Sequence, residues 1–157
     1  MGARDTNIRG AHDTSWAGVP EARRNVMRAN RRRDTGPERQ LRSALHELGL
    51  RFRVDAPIRP SGERSVRPDV VFPRRRVAVY VDGCFWHGCP EHWTRSRTNQ
   101  VYWDEKVIAN RERDHRTTAA LERDGWTVLR YWEHEDMRAA ARRVADVVRS
   151  DDVFGER

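Results

Sequence analysis

An α/β domain, a mixed β-sheet flanked by helices in the order α-β-β-β-α-β-α, is the fold class this sequence predicts. Three observations lead there. Apolar stretches of strand length lie at 50–54, 69–72, 77–81 and 126–132, separated by turn residues or by segments with helical spacing. The second and third flank the tetrapeptide "PRRR" closely enough to form a hairpin. The chain of 157 residues is 37% apolar, enough for one core of ordinary size. There are no repeats and no long linker, so the expectation is a mobile basic arm over 1–18, one domain over 19–150 and a short tail over 151–157.

The arm is rich in Gly, Asp and Thr and shows no period. Residues 20–33, "PEARRNVMRANRRR", allow a short, weakly amphipathic helix in which Val26 and Met27 stand among arginines, including Arg28. A clearer helix begins at Thr35, with Glu38 three residues on in capping-box spacing. It continues through Leu41, Leu45 and Leu48 and stops at Gly49. "LRFRV" (50–54) alternates as a strand, and Pro57, Pro60, Gly62 and Pro68 make 55–68 a loop. "DVVF" and "VAVYV" form the hairpin. Asn99 to about Asp124 is a long helical stretch closed by Gly125, "WTVLRYW" (126–132) is the last strand, and 135–150 is an amphipathic helix with Met137, Ala141, Val144 and Val148 on one side.

Charge narrows the function. Charged residues make up 35% of the chain, the net charge is +7, and Lys106 is its only lysine. A GC-rich coding sequence accounts for arginine over lysine but not for the excess, which favours a polyanion, because each neutralised phosphate releases counterions. No stretch approaches a membrane span and the N-terminus lacks the apolar core of a signal peptide, which predicts a cytoplasmic protein.

Chemistry concentrates in "VDGCFWHGCPEHW" (81–93). Cys84, Cys89 and His92 offer three zinc-type ligands within nine residues; His134 is the best remote fourth, with His87 and Glu91 as local competitors. Two free thiols beside a surface histidine is the plainer alternative. Asp69 opens one hairpin strand and Asp82 closes the other, so two carboxylates, or a carboxylate and a carbonyl, would converge on one point suited to a hard divalent ion. The Pro-Asp, strand, strand, acid order resembles the PD-(D/E)xK nuclease core, although Gly83 and Cys84 follow Asp82 where that core has its lysine. A turn-forming role for either aspartate is the alternative.

Five blocks in order, "MRANRRRDTGPE", "RPDVVF", "VDGCFWHGCPEHW", "YWDEKVIANRERD" and "GWTVLRYWEHE", resemble the very-short-patch mismatch repair (Vsr) endonucleases across roughly 22–137. The resemblance implies a restriction-endonuclease-like core with a structural zinc. It also implies a Mg²⁺-dependent nickase that cuts 5′ to the thymine of a T:G mismatch, the product of 5-methylcytosine deamination. Such an enzyme acts as a monomer on double-stranded DNA, in the bacterial cytoplasm at the nucleoid, linked in function to a cytosine methyltransferase.

The implied roles follow residue by residue. Asp69 matches the principal Mg²⁺ carboxylate, and Val81 stands where a backbone carbonyl ligates the metal. His87 matches the proposed general base, and Glu38 a glutamate supporting metal-bound waters, a role compatible with capping. Cys84, Cys89, His92 and His134 make a Cys₂His₂ zinc set. Phe85 and Trp86 match an aromatic wedge pushed between base steps, with Met27 entering from the opposite groove, where a core role would be the ordinary reading. Lys106, Asn110 and Arg28 are expected on DNA, while Arg113 and Asp114 are surface charges or buttresses. Asp82 departs from the family's best-known member, which has histidine there, and is expected to ligate metal instead. Two other readings stay open: a PD-(D/E)xK-type nuclease with a different target, and a non-catalytic zinc-stabilised DNA-binding module.

Overall fold

The structure, a computed structural model, describes residues 34–95 and 97–150. The arm 1–18, the helix expected over 20–33 with Met27 and Arg28, and the tail 151–157 lie outside the described residues.

Helix α1 (Gly36–Glu47) starts where the capping signal predicts. Thr35 Oγ1 accepts the Glu38 N–H at 3.5 Å, and Pro37 fits the first turn, where a missing N–H does no harm. Glu38 Oε1 accepts the Thr35 hydroxyl at 3.0 Å, and Oε2 accepts the Asp34 N–H at 2.7 Å. The reciprocal bond therefore lands one residue upstream of a regular capping box. At the other end Gly49 adopts φ +76°, the Gly49 N–H reaches His46 O and the Leu50 N–H reaches Leu45 O. This paired closure uses two carbonyls the helix leaves open. It also takes Leu50 out of strand geometry, so the alternating stretch 50–54 yields only a two-residue edge strand, β1 (Arg53–Val54).

Strands β2 (Val70–Phe72) and β3 (Val77–Asp82) form the expected hairpin, antiparallel from Val70↔Val79 to Phe72↔Val77, with β1 outside β2. After a single helical turn, α2 (Cys84–His87), the chain runs through α3 (Gln100–Arg123) into β4 (Thr127–Trp132). β4 lies parallel to β3, from Val77↔Thr127 to Asp82↔Trp132. Parallel neighbours need a crossover, and the 24 residues of α3, about 36 Å long, supply it. The result is a mixed four-stranded sheet in the order β1-β2-β3-β4, closed by α4 (Met137–Ser150).

Period-two alternation divides the core between the two faces. Val70, Phe72, Val77, Val79 and Tyr131 meet Leu41 and Leu45 of α1 and Met137, Ala141 and Val144 of α4. Val71 and Ala78 turn the other way, toward Leu121 of α3 and Ile58. Each buried leucine contributes roughly 1.5–3 kcal/mol of transfer free energy. Arg130, Tyr80 and Asp82 share the parity of Ala78 and so face α3. The carboxyl ends of the two parallel strands thus point polar side chains at the middle of that helix, a usual place for a ligand site in an open α/β sheet. No helix among the described residues is long and apolar enough to cross a membrane.

Candidate active site and metal centre

Asp69 sits just before β2, and its Oδ2 accepts the Val81 N–H at 2.7 Å. That bond ties the carboxylate to the end of β3, close to the expected meeting point of the two strand ends. Burial pushes the Asp69 carboxyl up to about 7; the Val81 N–H opposes this, while nearby Glu38 and Asp82 add like charge. Arg42 offsets only part of this, so a bound cation at Asp69 would find a carboxyl whose ionised form the surroundings oppose. Asp69 with the Val81 carbonyl offers few protein oxygens, fitting an ion of the Mg²⁺ type that keeps several waters. Glu38, 5% exposed, stands close enough to act on Asp69 through its charge, while both of its oxygens accept the hydrogen bonds that start α1.

At the end of β3, Asp82 is 8% exposed and gripped by Arg130 of β4: Nε donates to Oδ2 and Nη2 to Oδ1, each at 2.7 Å. Both oxygens of Asp82 are therefore engaged by a fixed cation. A dication held by Asp82, the role expected for it, would share or displace this bidentate guanidinium. One turn on, His87 Nδ1 lies 2.5 Å from Asp114 Oδ2 of α3 and 3.8 Å from Asp82 Oδ1. Burial alone would raise the Asp114 carboxyl, but the hydrogen bond from His87 and the Arg130 charge hold it below the usual carboxylate range. With Nδ1 engaged by the Asp114 carboxylate, Nε2 is the ring nitrogen left to face a substrate. That is the arrangement of a general base held by a carboxylate.

The sulfur and nitrogen atoms converge separately. Cys84 Sγ is 3.1 Å from His134 Nδ1, and Cys89 Sγ is 3.7 Å from both His92 Nδ1 and His134 Nδ1. All four donor atoms lie within 4.8 Å of one another. A tetrahedral ion with bonds of about 2.0–2.3 Å would hold its ligands roughly 3.3–3.8 Å apart. The donor set and its spacing therefore fit a structural zinc. Burial pushes the Cys84 thiol up, a bias that a coordinated dication reverses.

Four half-buried rings stand in edge-on contact. Phe85 and Trp86 lie 5.3 Å apart, Trp103 is 5.4 Å from Phe85 and 5.8 Å from Trp86, and Tyr102 is 5.2 Å from Trp103. They belong to neither face of the sheet core. Helix α3 holds their base. The Asn110 amide donates to Trp86 O at 2.8 Å, Arg111 Nε donates to His87 O at 3.1 Å, and Arg111 Nη2 donates to Gly88 O. On the other side Glu133 Oε1 accepts the Cys84 N–H at 2.7 Å. Thus α2 is held at both ends by side chains from other elements.

A family model described as DNA mismatch endonuclease Vsr matches residues 17–95. Among similar proteins, the type II nicking enzyme V.NaeI of Lentzea aerocolonigenes is 46% identical over 138 residues, covering 88% of this chain and 83% of the relative. The chain belongs to the Vsr family. Its similar proteins also include the type II nicking enzyme V.XorIIP of Xanthomonas oryzae pv. oryzae, 40% identical over 82% of this chain and 93% of the relative. The DNA mismatch endonuclease Vsr of Escherichia coli is 39% identical over 68% and 66%. Members of this family are DNA endonucleases, so the chain is one too, and the reading as a non-catalytic binding module falls away.

Seen as a Vsr-family site, the sequence expectations sort by geometry. Asp69 and Val81 meet, and Cys84, Cys89, His92 and His134 gather. His87 joins Asp114, which the sequence offered only as a surface charge or buttress. Phe85 and Trp86 stand together with Trp103. Lys106 is exposed, its Nζ 5.5 Å from the centre of the Tyr102 ring. Asn110, expected on DNA, donates its amide to the Trp86 carbonyl, an oxygen the C-terminus of α2 leaves open. Arg130 carried no signal: one arginine in an apolar strand of so arginine-rich a chain is silent. Only its place opposite Tyr80 across a parallel ladder, two residues from Asp82 on the same face, could have singled it out.

Proposed function

We propose that this endonuclease nicks the thymine strand 5′ to a T:G mismatch of the kind left by 5-methylcytosine deamination, in double-stranded DNA and with Mg²⁺. The observation that supports this best is the His87–Asp114 pair standing on the same strand end as the Asp69–Val81 contact. A base with an open Nε2 and an oxygen site for a hard cation are the two parts that phosphodiester hydrolysis requires. When bound, the cation supplies Lewis acidity toward the phosphate and lowers the pKa of its water. Asp69 and the Val81 carbonyl would hold it, with Glu38 beside them to accept hydrogen bonds from water, and His87 takes the proton from the attacking water at Nε2 while Asp114 keeps the ring turned.

Phe85 and Trp86, with Trp103 behind them, serve as a wedge beside the mismatch, where unstacking is cheapest. Cys84, Cys89, His92 and His134 hold Zn²⁺ and so fix the base of that wedge. A monomer suits a substrate without two-fold symmetry, and the biological partner in this reading is a cytosine methyltransferase whose site the enzyme patrols.

The test uses end-labelled duplexes carrying one T:G mismatch in varied contexts, with T:A controls, each in Mg²⁺ and in EDTA. Nicking of the thymine strand alone, immediately 5′ of the mismatch and only with Mg²⁺, is the expected result. Cutting of the matched controls would replace it with a nuclease of different target.

A further inference from the structure

Arg130 belongs to no part of the machinery described so far, yet it has the densest set of partners near His87. Its Nε and Nη2 hold the two oxygens of Asp82 at 2.7 Å, Nη2 lies 3.3 Å from Asp114 Oδ1, and Nη1 donates to Thr118 Oγ1 at 3.4 Å. The guanidinium carbon lies 4.6 Å from the centre of the Tyr80 ring. Strand β4, helix α3 and strand β3 therefore all fix one planar cation. Asp82, His87 and Asp114 bring three metal-type donors within 4.8 Å of one another. The Arg130 guanidinium contacts both carboxylates of that cluster.

The cluster poses a choice of acceptor. His87 Nδ1 is hydrogen-bonded to Asp114 at 2.5 Å and has a second carboxylate, Asp82, nearby at 3.8 Å, beyond hydrogen-bond distance. Whichever carboxylate Nδ1 bonds sets the direction in which Nε2 points. We propose that Arg130 is a positioning residue that makes this choice. By holding Asp82 with both arms of its fork, it leaves Asp114 as the acceptor for His87, and by touching Asp114 Oδ1 it turns Oδ2 toward the ring. The two arms explain why arginine stands here: an ammonium has three donors on one nitrogen but lacks the planar fork that matches both oxygens of a carboxylate. Arg113, whose Nη2 is 3.8 Å from Asp114 Oδ1, is the other cation facing the pair and has most of its side chain in solvent. The inference rests on His87 being the base.

Single-turnover nicking of a T:G duplex, DNA affinity measured without divalent ion, and thermal melting are compared for the wild type, Arg130→Gln, Arg130→Lys, Arg130→Gln/Asp82→Asn and His87→Ala. Arg130→Gln is expected to slow nicking on the order of 30-fold at saturating enzyme, as a misaligned base does, while DNA affinity changes less than about 3-fold. Arg130→Lys, which keeps the charge, is expected to remain slow. Removing the competing carboxylate in the double variant is expected to recover about 10-fold over Arg130→Gln. Wild-type nicking by Arg130→Lys, a loss matched by weaker DNA binding, or a double variant no faster than Arg130→Gln would overturn the proposal. Should Arg130→Gln melt below the assay temperature, the Lys variant decides alone. If His87→Ala nicks at the wild-type rate, the base reading falls and takes this one with it. An inactive His87→Ala beside a fully active Arg130→Gln overturns only the role of Arg130.

Discussion

Asp69 is a carboxylate in surroundings that oppose its charge, and that opposition has a measurable sign. Its pKa in the folded chain is about 7 against an ordinary 3.8, so between those values the folded state binds more protons than the unfolded state. Stability from this group is therefore fully present below pH 4 and is lost as pH rises toward 7. Asn cannot ionise, so Asp69→Asn should raise the melting temperature of the metal-free protein by about 5 °C at pH 8 and much less at pH 4. The same substitution should abolish Mg²⁺-dependent nicking while leaving DNA binding largely intact. Equal melting shifts at both pH values would show that the carboxyl is not held protonated by burial. At this scale the sequence was legible where rare residue types cluster, as with Cys84, Cys89 and His92. It was silent where a role depends on a distant partner: Asp114 reaches His87 across 27 positions and Arg130 reaches Asp82 across 48.

Helix α2 illustrates what an element can hide. Four residues, Cys84–His87, hold too little period to announce a helix, and the stretch reads as loop. What makes it helical is its ends: Glu133 on the first N–H, Asn110 and Arg111 on the last carbonyls, and Gly88 at φ +64°. A Cβ on Gly88 would stand 2.7 Å from both Val107 Cγ1 and Arg111 Nη2, in a backbone region unkind to side chains. Gly88→Ala should therefore cost about 1–3 kcal/mol in a denaturant melt and reduce the preference for T:G over T:A by loosening the ring cluster. An unchanged preference would separate the rings from lesion sensing. Cys84→Ser should lower bound zinc well below one per chain and drop the melting temperature by about 10 °C. Metal analysis beside the melt checks this, and an unchanged zinc content would remove Cys84 from the ligand set. The longer elements were legible because their periods run for several turns or pleats. The edge strand came out shorter than 50–54 because the closure of α1 takes Leu50.

For the molecule as a whole, the α/β order and the mixed sheet follow from the alternation of periods, whereas the parallel placement of β4 follows from the length of α3. A net charge of +7 predicts binding governed by phosphate contacts. Raising salt from about 50 to about 200 mM should weaken binding on the order of 10³-fold for mismatched and matched duplexes alike. Lesion preference, which arises from unstacking, should then persist across the titration; a preference that vanished with salt would place recognition in the backbone contacts. One further consequence lies in α2. Trp86 and His87 are consecutive residues on one turn, gripped at both ends. On the proposed reading, the residue that feels the lesion and the residue that prepares the cut are joined by a single peptide bond. The offset between damage and incision is then a fixed covalent length, the same in every flanking sequence, and slippage of the nick by even one nucleotide would require breaking the turn.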